Sequence, residues 1–349
     1  MRILVTGGAG LVGSHTAEYY AKKGDKVIIL DNLMRSKLFG YDKKSVEFNW
    51  NYLAKYKNIK RIKGDVRNKS EVLEAIGKGV DVVIHTAGQP GVPLSVRIPE
   101  EDFSINAYGT LNVLECVRQK CKNATFIYCS TNKVYGENVD KIPLLERHTR
   151  YIYKGIKGIS EEFPIDHTGH TPYGVSKYVG DIYTQEYAYI YGMKTAVFRM
   201  SCIYGMRQFG FEDQGWVAWF VIANLLNKPI TIYGNGKQVR DLLYVTDLIE
   251  AYDKFICSDL QHEVFNIGGG PENTTSLIEF IEELKKITKK ENHVTFDDWR
   301  PSDQKVYISD ISKVRNRLNW QPRTKSIEGL KRVIDWVKSQ KEKFSIDVK

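Results

Sequence analysis

Short apolar runs alternate with helical patterns along the first part of the chain. The first run covers residues 2–6 and is rich in β-branched residues, and the second covers residues 27–30 and ends at Asp31. Between them, a glycine-rich stretch leads into a segment with helical spacing. The beginning of the chain therefore predicts a strand, a helix and a second strand.

The same alternation continues to about residue 200. Residues 61–65 are expected at the end of a strand, and apolar runs at 82–85, 124–129 and 195–199 predict further strands. Segments 106–120 and 173–191 have helical spacing. Strands separated by helices at this rhythm are typical of a doubly wound parallel sheet. We therefore predict an α/β fold with a Rossmann-type sheet.

Beyond residue 200 the rhythm changes to short strands, loops rich in Gly, Asn and Asp, and a helix at 276–288. This change predicts a smaller C-terminal α/β lobe that binds substrate. We expect a Rossmann domain at 1–198, with returning segments near 240–267, and a substrate-binding lobe at 199–349 that is interleaved with the first domain. Residues 240–245 and 264–267 are the candidates for strands that return to the large sheet.

Composition narrows the class of protein. Hydrophobic residues make up 42% of the 349, which is ordinary for a globular chain with room for two cores. No apolar stretch approaches the roughly 20 residues that cross a bilayer, and no export signal is visible, so we expect a cytoplasmic protein without membrane association. The net charge of +9 arises from scattered lysines, which argues against nucleic acid as a partner.

Cysteine and histidine usage predicts neither a disulfide framework nor a metal site. The five cysteines include no CxxC pair. Asp166, His167 and His170 lie close together in sequence, but no further ligands accompany them. We expect these three residues to form a loop before the next helix.

The glycine-rich stretch predicts a dinucleotide site. Gly7, Gly10 and Gly13 have the spacing of a turn that lets a pyrophosphate approach the backbone where a helix begins. Asp31, at the end of the second strand, is placed to accept hydrogen bonds from the adenosine ribose. Arg35 could tolerate the phosphate of NADP, but the Asp31 carboxylate would repel it, so we predict NAD.

Tyr173 and Lys177 predict acid–base chemistry. They are four residues apart in a predicted helix, so the phenol and the ammonium share one face. We expect Lys177 and a positive nicotinamide ring to lower the pKa of Tyr173 by about three units, since one partly screened charge at about 4 Å supplies ~4 kcal/mol. Ser130 and Thr131 follow a strand and are expected at the ligand-binding edge of the sheet. The pattern predicts proton removal from a substrate hydroxyl together with hydride transfer.

Several motifs occur together in this chain: Thr6-Gly7-x-x-Gly10-x-x-Gly13, Asp65-Val66, Ala87-Gly88, Ser130-Thr131 with Val134-Tyr135-Gly136, Tyr173-x-x-x-Lys177, residues 234–242, residues 300–304 and residues 319–322. With these motifs the whole chain resembles the extended short-chain dehydrogenase/reductase superfamily of nucleotide-sugar enzymes. Within it, residues 130–136 and 204–217 resemble the 2-epimerases of the CDP-paratose/CDP-tyvelose type. Asn132 and Lys133 stand where the superfamily's 4,6-dehydratases carry an Asp-Glu pair, which argues against dehydration.

The resemblance implies a role for each matching residue. The residues that it implies for NAD binding are Gly7, Gly10, Leu11, Val12, Gly13, Asp31, Asn32, Asp65, Val66, Ala87, Gly88, Gln89, Asn106, Tyr173 and Lys177. The catalytic residues that it implies are Tyr173 as the base, Lys177 as its electrostatic partner, and Thr131 and Ser130 as hydroxyl groups. The substrate-binding residues that it implies are Asn132, Lys133, Arg207, Gln214, Trp216, Arg240 and Arg300, of which the last two match arginines that clamp a diphosphate.

The resemblance also implies an activity. It is an NAD-dependent epimerase, hence an isomerase, that inverts C2 of a nucleotide-diphospho-hexose through a transient 2-keto sugar, in a homo-oligomer that is a dimer or a tetramer. The choice of C2 over C4 rests on the resemblance alone. A 4-epimerase of a UDP-sugar is the near alternative. A non-catalytic NAD-binding protein is the distant one, because such a protein could lack Tyr173 or Lys177.

Overall fold

The structure is a computed structural model that describes residues 1–40, 44–300 and 302–344. In these ranges the strands are β1 Arg2–Thr6, β2 Lys26–Asp31, β3 Ile59–Lys63, β4 Val82–His85, β5 Thr125–Thr131, β6 Leu144–Glu146, β7 Tyr151–Tyr153, β8 Thr195–Met200, β9 Cys202–Tyr204, β10 Ile230–Tyr233, β11 Val239–Tyr244, β12 His262–Ile267, β13 Thr274–Ser276, β14 Val294–Asp297 and β15 Val306–Tyr307.

The α-helices of the same ranges are α1 Leu11–Lys22, α2 Arg35–Phe39, α3 Lys44–Tyr52, α4 Lys69–Ile76, α5 Val92–Arg97, α6 Pro99–Phe103, α7 Gly109–Cys121, α8 Thr171–Tyr191, α9 Trp216–Leu225, α10 Val245–Ile256, α11 Leu277–Thr288, α12 Ser312–Leu318, α13 Ser326–Ser339 and α14 Lys341–Phe344. A π-helical turn, Ser104–Tyr108, joins α6 to α7. Short 3₁₀ segments are Leu53–Lys55, Asn132–Lys141 and Pro271–Asn273.

Seven strands form the large sheet, in the order β12-β8-β5-β4-β1-β2-β3. Strand β1 pairs in parallel with β2 and β4, β2 with β3, and β4 with β5. The order runs in opposite directions on the two sides of β1, which leaves a crevice outside the carboxyl ends of β1 and β4. The predicted doubly wound α/β class is confirmed.

Burial explains why the strands of this sheet were visible in the sequence. Ile3, Leu4 and Val5 of β1 are fully buried, as are Val83 and Ile84 of β4. Strands covered by helices on both faces are apolar throughout rather than alternating. The helix expected at 173–191 begins two residues earlier, at Thr171.

The chain divides into two compact units. The first unit contains residues 1–134, 171–199 and 249–265, and the second contains 135–170, 200–248 and the residues from 266 onward. The sequence-based division had residues 135–170 in the first domain. They pack in the second unit because the Tyr151 N–H donates to the Lys237 carbonyl and the Tyr153 hydroxyl donates to the Val306 carbonyl.

One of the two strands expected to return to the large sheet does so. Strand β12 pairs with β8 there, as predicted. Strand β11 does not, so the prediction for residues 240–245 is wrong. Its backbone pairs instead with β9, β13 and β15, which occupy its hydrogen-bonding groups within the second unit.

The second unit has its own core. Trp320 is buried and donates its indole N–H to the Asp247 carbonyl, 2.9 Å away. Helix α11, expected at 276–288, begins after Ser276, whose side chain forms a reciprocal capping box with Glu279. In the described ranges, no helix combines the length and the apolar character needed to cross a membrane.

Candidate active site

The turn after β1 is shaped for a group that lies against the backbone. Gly7 has a φ of +70°, and a Cβ on it would lie 2.6 Å from the backbone nitrogen of Ala87. A Cβ on Gly13 would lie 2.2 Å from the Gly7 carbonyl oxygen. Only glycine fits at these two positions.

Helix α1 begins at Leu11, and its N-cap residue, Gly10, provides no side-chain cap. The first N–H groups of a helix have no intrahelical partner, so those of Leu11, Val12 and Gly13 can be satisfied by an anion. The turn of residues 7–13 therefore fits the diphosphate of a dinucleotide.

Two carboxylates stand at the carboxyl ends of β2 and β3. Asp31 accepts hydrogen bonds from the N–H groups of Ala9 and Leu33, at 2.9 and 2.8 Å, and burial raises its pKa. Asp65 accepts from the Asn32 amide at 2.9 Å and from the Arg67 guanidinium at 2.7 Å. Burial alone would raise the pKa of Asp65, but these hydrogen bonds leave it below its usual value. Of the two acids, Asp31 favours NAD over NADP, because its carboxylate can accept from the ribose and repels an added phosphate, whereas Asp65 is paired with Arg67.

Arg67 helps to shape the predicted NAD site around Asp65, and the sequence analysis did not identify it. Its guanidinium also reaches Glu101 at 2.8 Å, so it ties the end of β3 to α6. The adjacent residue, Val66, is fixed by its carbonyl, which accepts from the Asn112 side chain at 2.6 Å. The Asp65-x-Arg67 spacing, typical of a turn in which the acid bonds two residues on, was the available signal.

The loop after β4 carries Ala87, Gly88 and Gln89. A Cβ on Gly88 would lie 2.9 Å from the Asn106 side-chain oxygen and 3.9 Å from Lys177 Nζ, so this loop runs close to the predicted catalytic lysine. The side chains of Gln89 and Asn106 are buried and bonded within the protein. Their part in the site is thus to shape the loop, and a ligand contact through the Gln89 side chain is not supported.

Tyr173, Lys177 and Thr131 come together in the first unit. Thr131 ends β5, and its hydroxyl lies near enough to the Tyr173 hydroxyl to lower the pKa of that phenol. The Lys177 ammonium lies 4.3 Å from the centre of the Tyr128 ring, a cation–π contact. The Tyr128 hydroxyl donates to the Lys177 carbonyl at 3.1 Å, which holds α8 against β5.

Burial is the largest influence on the pKa values of Tyr173 and Lys177. It raises the pKa of Tyr173 to about 12, and the neighbouring Thr131 hydroxyl, which lowers that pKa, only partly offsets this. It lowers the pKa of Lys177 to about 8. The expectation that Lys177 lowers the pKa of Tyr173 is therefore wrong for the chain by itself, because the phenolate loses more hydration than its neighbours return.

Ser130 lies apart from this group. Its hydroxyl donates to Asp181 at 2.7 Å, and Asp181 also pairs with Arg199 at 2.9 Å. All three side chains are buried. The expectation of a catalytic hydroxyl at Ser130 is corrected to a structural one. Asp181 follows Tyr173 by eight residues on the same helix, so helical periodicity could have identified it.

Asn132 and Lys133 begin the 3₁₀ segment after β5. The Thr131 side chain is within 3.3 Å of the Asn132 side-chain oxygen and of the Lys133 N–H. The two residues thus follow directly on the hydroxyl that meets Tyr173. Their predicted contact with substrate stays a prediction.

The remaining predicted substrate residues lie in the second unit. Arg240 pairs with Asp303 at 2.7 Å, and Arg300 pairs with Asp213 at 2.9 Å. The Arg300 guanidinium also lies 3.8 Å from the centre of the Tyr233 ring. Arg300 lines a cleft of about 940 Å³ in this unit, together with Trp299 and Lys305.

Three other candidates in the second unit have mainly structural contacts. Trp216 packs edge-on against Phe220 and Phe280, with ring centres 5.5 and 5.0 Å away, so the structure favours packing over a sugar contact. Gln214 pairs through its backbone with Phe211. Arg207 is buried and has a φ of +62°.

The chain resembles known proteins over nearly its full length. The family described as "NAD dependent epimerase/dehydratase family" matches residues 3–268. CDP-paratose 2-epimerase of Salmonella typhi is 40% identical over 348 residues, covering 97% of this chain and 100% of that protein. The crystal structure of UDP-glucuronic acid 4-epimerase from Bacillus cereus, in complex with UDP-glucuronic acid and NAD, is 28% identical with a TM-score of 0.82, covering 97% of this chain and 100% of that one.

The crystal structure of UDP-glucose 4-epimerase from Thermotoga maritima, with UDP-glucose, is 29% identical with a TM-score of 0.81, covering 97% of this chain and 99% of that one. The family match spans the glycine turn, both acids and the Tyr173–Lys177 pair. This chain belongs to the NAD-dependent epimerase/dehydratase family, and NAD is its cofactor.

Proposed function

We propose that this enzyme inverts C2 of a nucleotide-diphospho-hexose of the CDP-paratose/CDP-tyvelose type, by transient oxidation to a 2-keto sugar. The observation that carries the proposal is that the hydroxyls of Thr131 and the half-buried Tyr173 are neighbours, with the buried Lys177 one helical turn further on. The 40% identity to CDP-paratose 2-epimerase over its whole length supports the choice of sugar and carbon. Asn132 and Lys133 support epimerisation over dehydration, which would use an Asp-Glu pair.

The glycine turn and Asp31 would hold the dinucleotide. When bound, NAD supplies a reversible hydride acceptor and a positive ring that favours the Tyr173 phenolate. Every other part of the reaction belongs to the chain itself.

Tyr173 removes the proton of the C2 hydroxyl and later returns it. The Lys177 ammonium stabilises the phenolate, and the Thr131 hydroxyl hydrogen-bonds the reacting oxygen as its charge develops. Thr131 and Lys177 are buried and Tyr173 is half-buried, so these interactions are stronger than in water. The 2-keto sugar is planar at C2, and its rotation presents the opposite face before hydrogen is restored.

Arg240 and Arg300 would bind the diphosphate of the substrate. A planar guanidinium can donate two parallel hydrogen bonds to phosphate oxygens. Both arginines are already oriented by carboxylates, Asp303 and Asp213, so little side-chain freedom is lost when a phosphate binds.

A 4-epimerase of a UDP-sugar is the second candidate. The solved structures with UDP-glucose and UDP-glucuronic acid favour it, since both superpose over 97% of this chain. The two candidates share the fold, the cofactor and the base. They differ in which sugar carbon faces Tyr173.

Isotope labelling separates the two candidates. CDP-linked hexoses deuterated at C2 or at C4, with UDP-linked counterparts, are incubated with the purified enzyme. We expect a primary isotope effect from the C2 label only, with the label retained at C2 after inversion. Tyr173→Phe should abolish turnover with either label. An effect from C4 and not from C2 would transfer the function to the 4-epimerases.

We also propose that the protein is a homodimer. Helix α8 exposes apolar side chains at heptad spacing, Val175, Ile182 and Tyr189, and Ile190 beside them is 67% exposed. The neighbouring segment, residues 92–108, packs against α8 and exposes three more: Val96, Phe103 and Tyr108.

Under twofold symmetry, the apolar faces of α8 and of residues 92–108 in one copy can pack against the same faces of a second copy. The four segments then form a helical bundle between the two copies. An apolar surface of this extent is unusual on a monomer. The second copy of this chain is therefore the occupant that we propose.

A further inference from the structure

A buried carboxylate, Asp102 of α6, lies at the centre of a hydrogen-bond network beside the site. Its side chain has 0% of its surface exposed. It accepts hydrogen bonds from the Gln89 amide at 2.7 Å, from the Asn106 amide at 3.1 Å, and from the Ser176 hydroxyl. In sequence, Asp102 looks like one of three surface acids in the first turn of a helix, so no local signal identified it.

The three donors belong to three different elements. Gln89 lies on the loop after β4, Asn106 lies in the π-helical turn, and Ser176 lies on α8. Asn106 further links them, because its side-chain oxygen accepts from the Gln89 N–H at 2.8 Å and its amide donates to the Ser176 oxygen at 3.1 Å. All four side chains are buried.

The network controls the placement of α8. Ser176 lies between Tyr173 and Lys177, and its oxygen is 3.1 Å from the Tyr173 carbonyl. Its bond to Asp102 fixes the rotation of α8 about its own axis, and hence the direction of the phenol and the ammonium. The bonds to Gln89 fix the loop whose Gly88 backbone runs close to Lys177.

The chemistry of the acceptor agrees with this role. A carboxylate offers several lone pairs and no proton, so it can accept from all three donors at once. A neutral apolar residue would leave the Gln89, Asn106 and Ser176 side chains buried without an acceptor. Asn106 lies in a π-helical turn, a conformation less stable than an α-helix and often found at functional sites. The hydrogen bonds of Asn106 in this network help to stabilise the turn.

We propose that Asp102 is a positioning residue for the reaction: through Ser176 it holds α8 in register with the loop of residues 86–91, so that Tyr173 and Lys177 are correctly placed. The inference rests on the proposed function only in requiring that Tyr173 is the base. It does not depend on which sugar carbon reacts.

The test compares four variants of the full-length enzyme: Asp102→Ala, Asp102→Asn, Ser176→Ala and Glu18→Ala. Asn has the shape of Asp; its oxygen can accept from Gln89 and Asn106, and its amide can donate to Ser176. Glu18 is the matched control, because it is a buried acid of the same unit that accepts from the Tyr52 and Tyr56 hydroxyls at 2.8 Å. For each protein, kcat, KM, bound NAD and the urea midpoint are measured with whichever sugar the wild type converts.

We expect Asp102→Ala and Ser176→Ala to lower kcat by about 10- to 100-fold with KM changed less than about threefold, since small displacements of reacting groups have effects of this size. Asp102→Asn should recover most of the lost kcat. Glu18→Ala should lose stability and keep kcat.

Two results would overturn the proposal. In the first, Asp102→Ala and Glu18→Ala lose similar stability and have the same kcat. The network would then be purely structural. The other is an Asp102→Asn enzyme as impaired as Ser176→Ala, which would show that charge rather than position matters. If Asp102→Ala does not fold, the comparison of Asp102→Asn with Ser176→Ala decides alone. If the enzyme reacts at C4 instead of C2, the isotope-labelling result changes, but the kcat ratios between these variants and the wild type do not.

Discussion

Ser130 donates its hydroxyl hydrogen bond to Asp181, 2.7 Å away, whereas the next residue, Thr131, lies beside Tyr173, eight residues earlier on the same helix α8. Two adjacent hydroxyl residues at the end of one strand thus have different partners on one helix. One supports the buried Asp181–Arg199 ion pair, and the other is available to the reacting groups.

This relationship predicts opposite effects for two conservative substitutions. Ser130→Ala removes a donor to a buried charged group and should lower the free energy of unfolding by about 1 to 3 kcal/mol, with kcat changed only a few-fold. Thr131→Val keeps the shape and removes the hydroxyl, so it should lower kcat by about 10²-fold with little loss of stability. Urea unfolding and steady-state turnover measure both, with Thr131→Ser as the variant that restores the hydroxyl. A Ser130→Ala enzyme that is stable but inactive would contradict the assignment.

The buried Lys177 ammonium should lower the free energy of unfolding of the protein, although the same group supports catalysis. Its folded-state pKa, about 8, lies below the ordinary 10.5, so between these values the unfolded chain binds more protons and stability rises with pH. Lys177→Met should therefore be more stable than the wild type at neutral pH, by up to about 3 kcal/mol, and almost inactive. The difference should be largest below pH 8 and should close as the pH approaches 10.5.

Urea unfolding of both proteins, stripped of nucleotide, at several pH values measures this difference. The comparison cancels the other titrating groups, which the two proteins share. If Lys177→Met were less stable than the wild type at neutral pH, the buried ammonium would not be unfavourable, and the account of its pKa would be wrong.

Arg240 and Arg300 should govern substrate affinity. Replacing either by Ala should raise KM for the nucleotide-sugar roughly 10- to 100-fold, since a charge-assisted hydrogen bond contributes about 1.5 to 3 kcal/mol. Bound NAD should be unchanged. Arg150→Ala is the matched control, because Arg150 pairs with Glu279 in the same unit and is not expected to meet substrate. Normal KM in both Arg240→Ala and Arg300→Ala would place the diphosphate elsewhere.

The apolar face of α8 should hold the proposed dimer together. Ile182→Glu introduces a charge in the middle of that face, where a buried unpaired carboxylate is strongly unfavourable, and should shift the molar mass in solution from two chains to one. Light scattering measures the mass. Ile327→Glu is the control, because Ile327 is 47% exposed and lies on α13. A wild type that is already monomeric at micromolar concentration would exclude the interface.

The local features of this protein could be predicted from the sequence. The strand of residues 2–6, the glycines at 7, 10 and 13 and the acid at 31 form one unit with local spacing rules, and Tyr173 and Lys177 share a helix face whatever surrounds them. Their identification required only the periods of helix and strand and the steric needs of a turn. The doubly wound sheet followed from the repetition of the same signals.

Other features were decided only by the tertiary structure. Which hydroxyl lies beside Tyr173 depends on how α8 packs along the end of β5, since Asp181 of the same helix takes the Ser130 hydroxyl. The raised pKa of Tyr173 depends on how much water the fold removes. The contact of Asp102 with Ser176 joins residues 74 positions apart, and β11 forms its ladder with strands of the second unit. Desolvation and long-range pairing depend on the assembled chain, and no local pattern of residues encodes them.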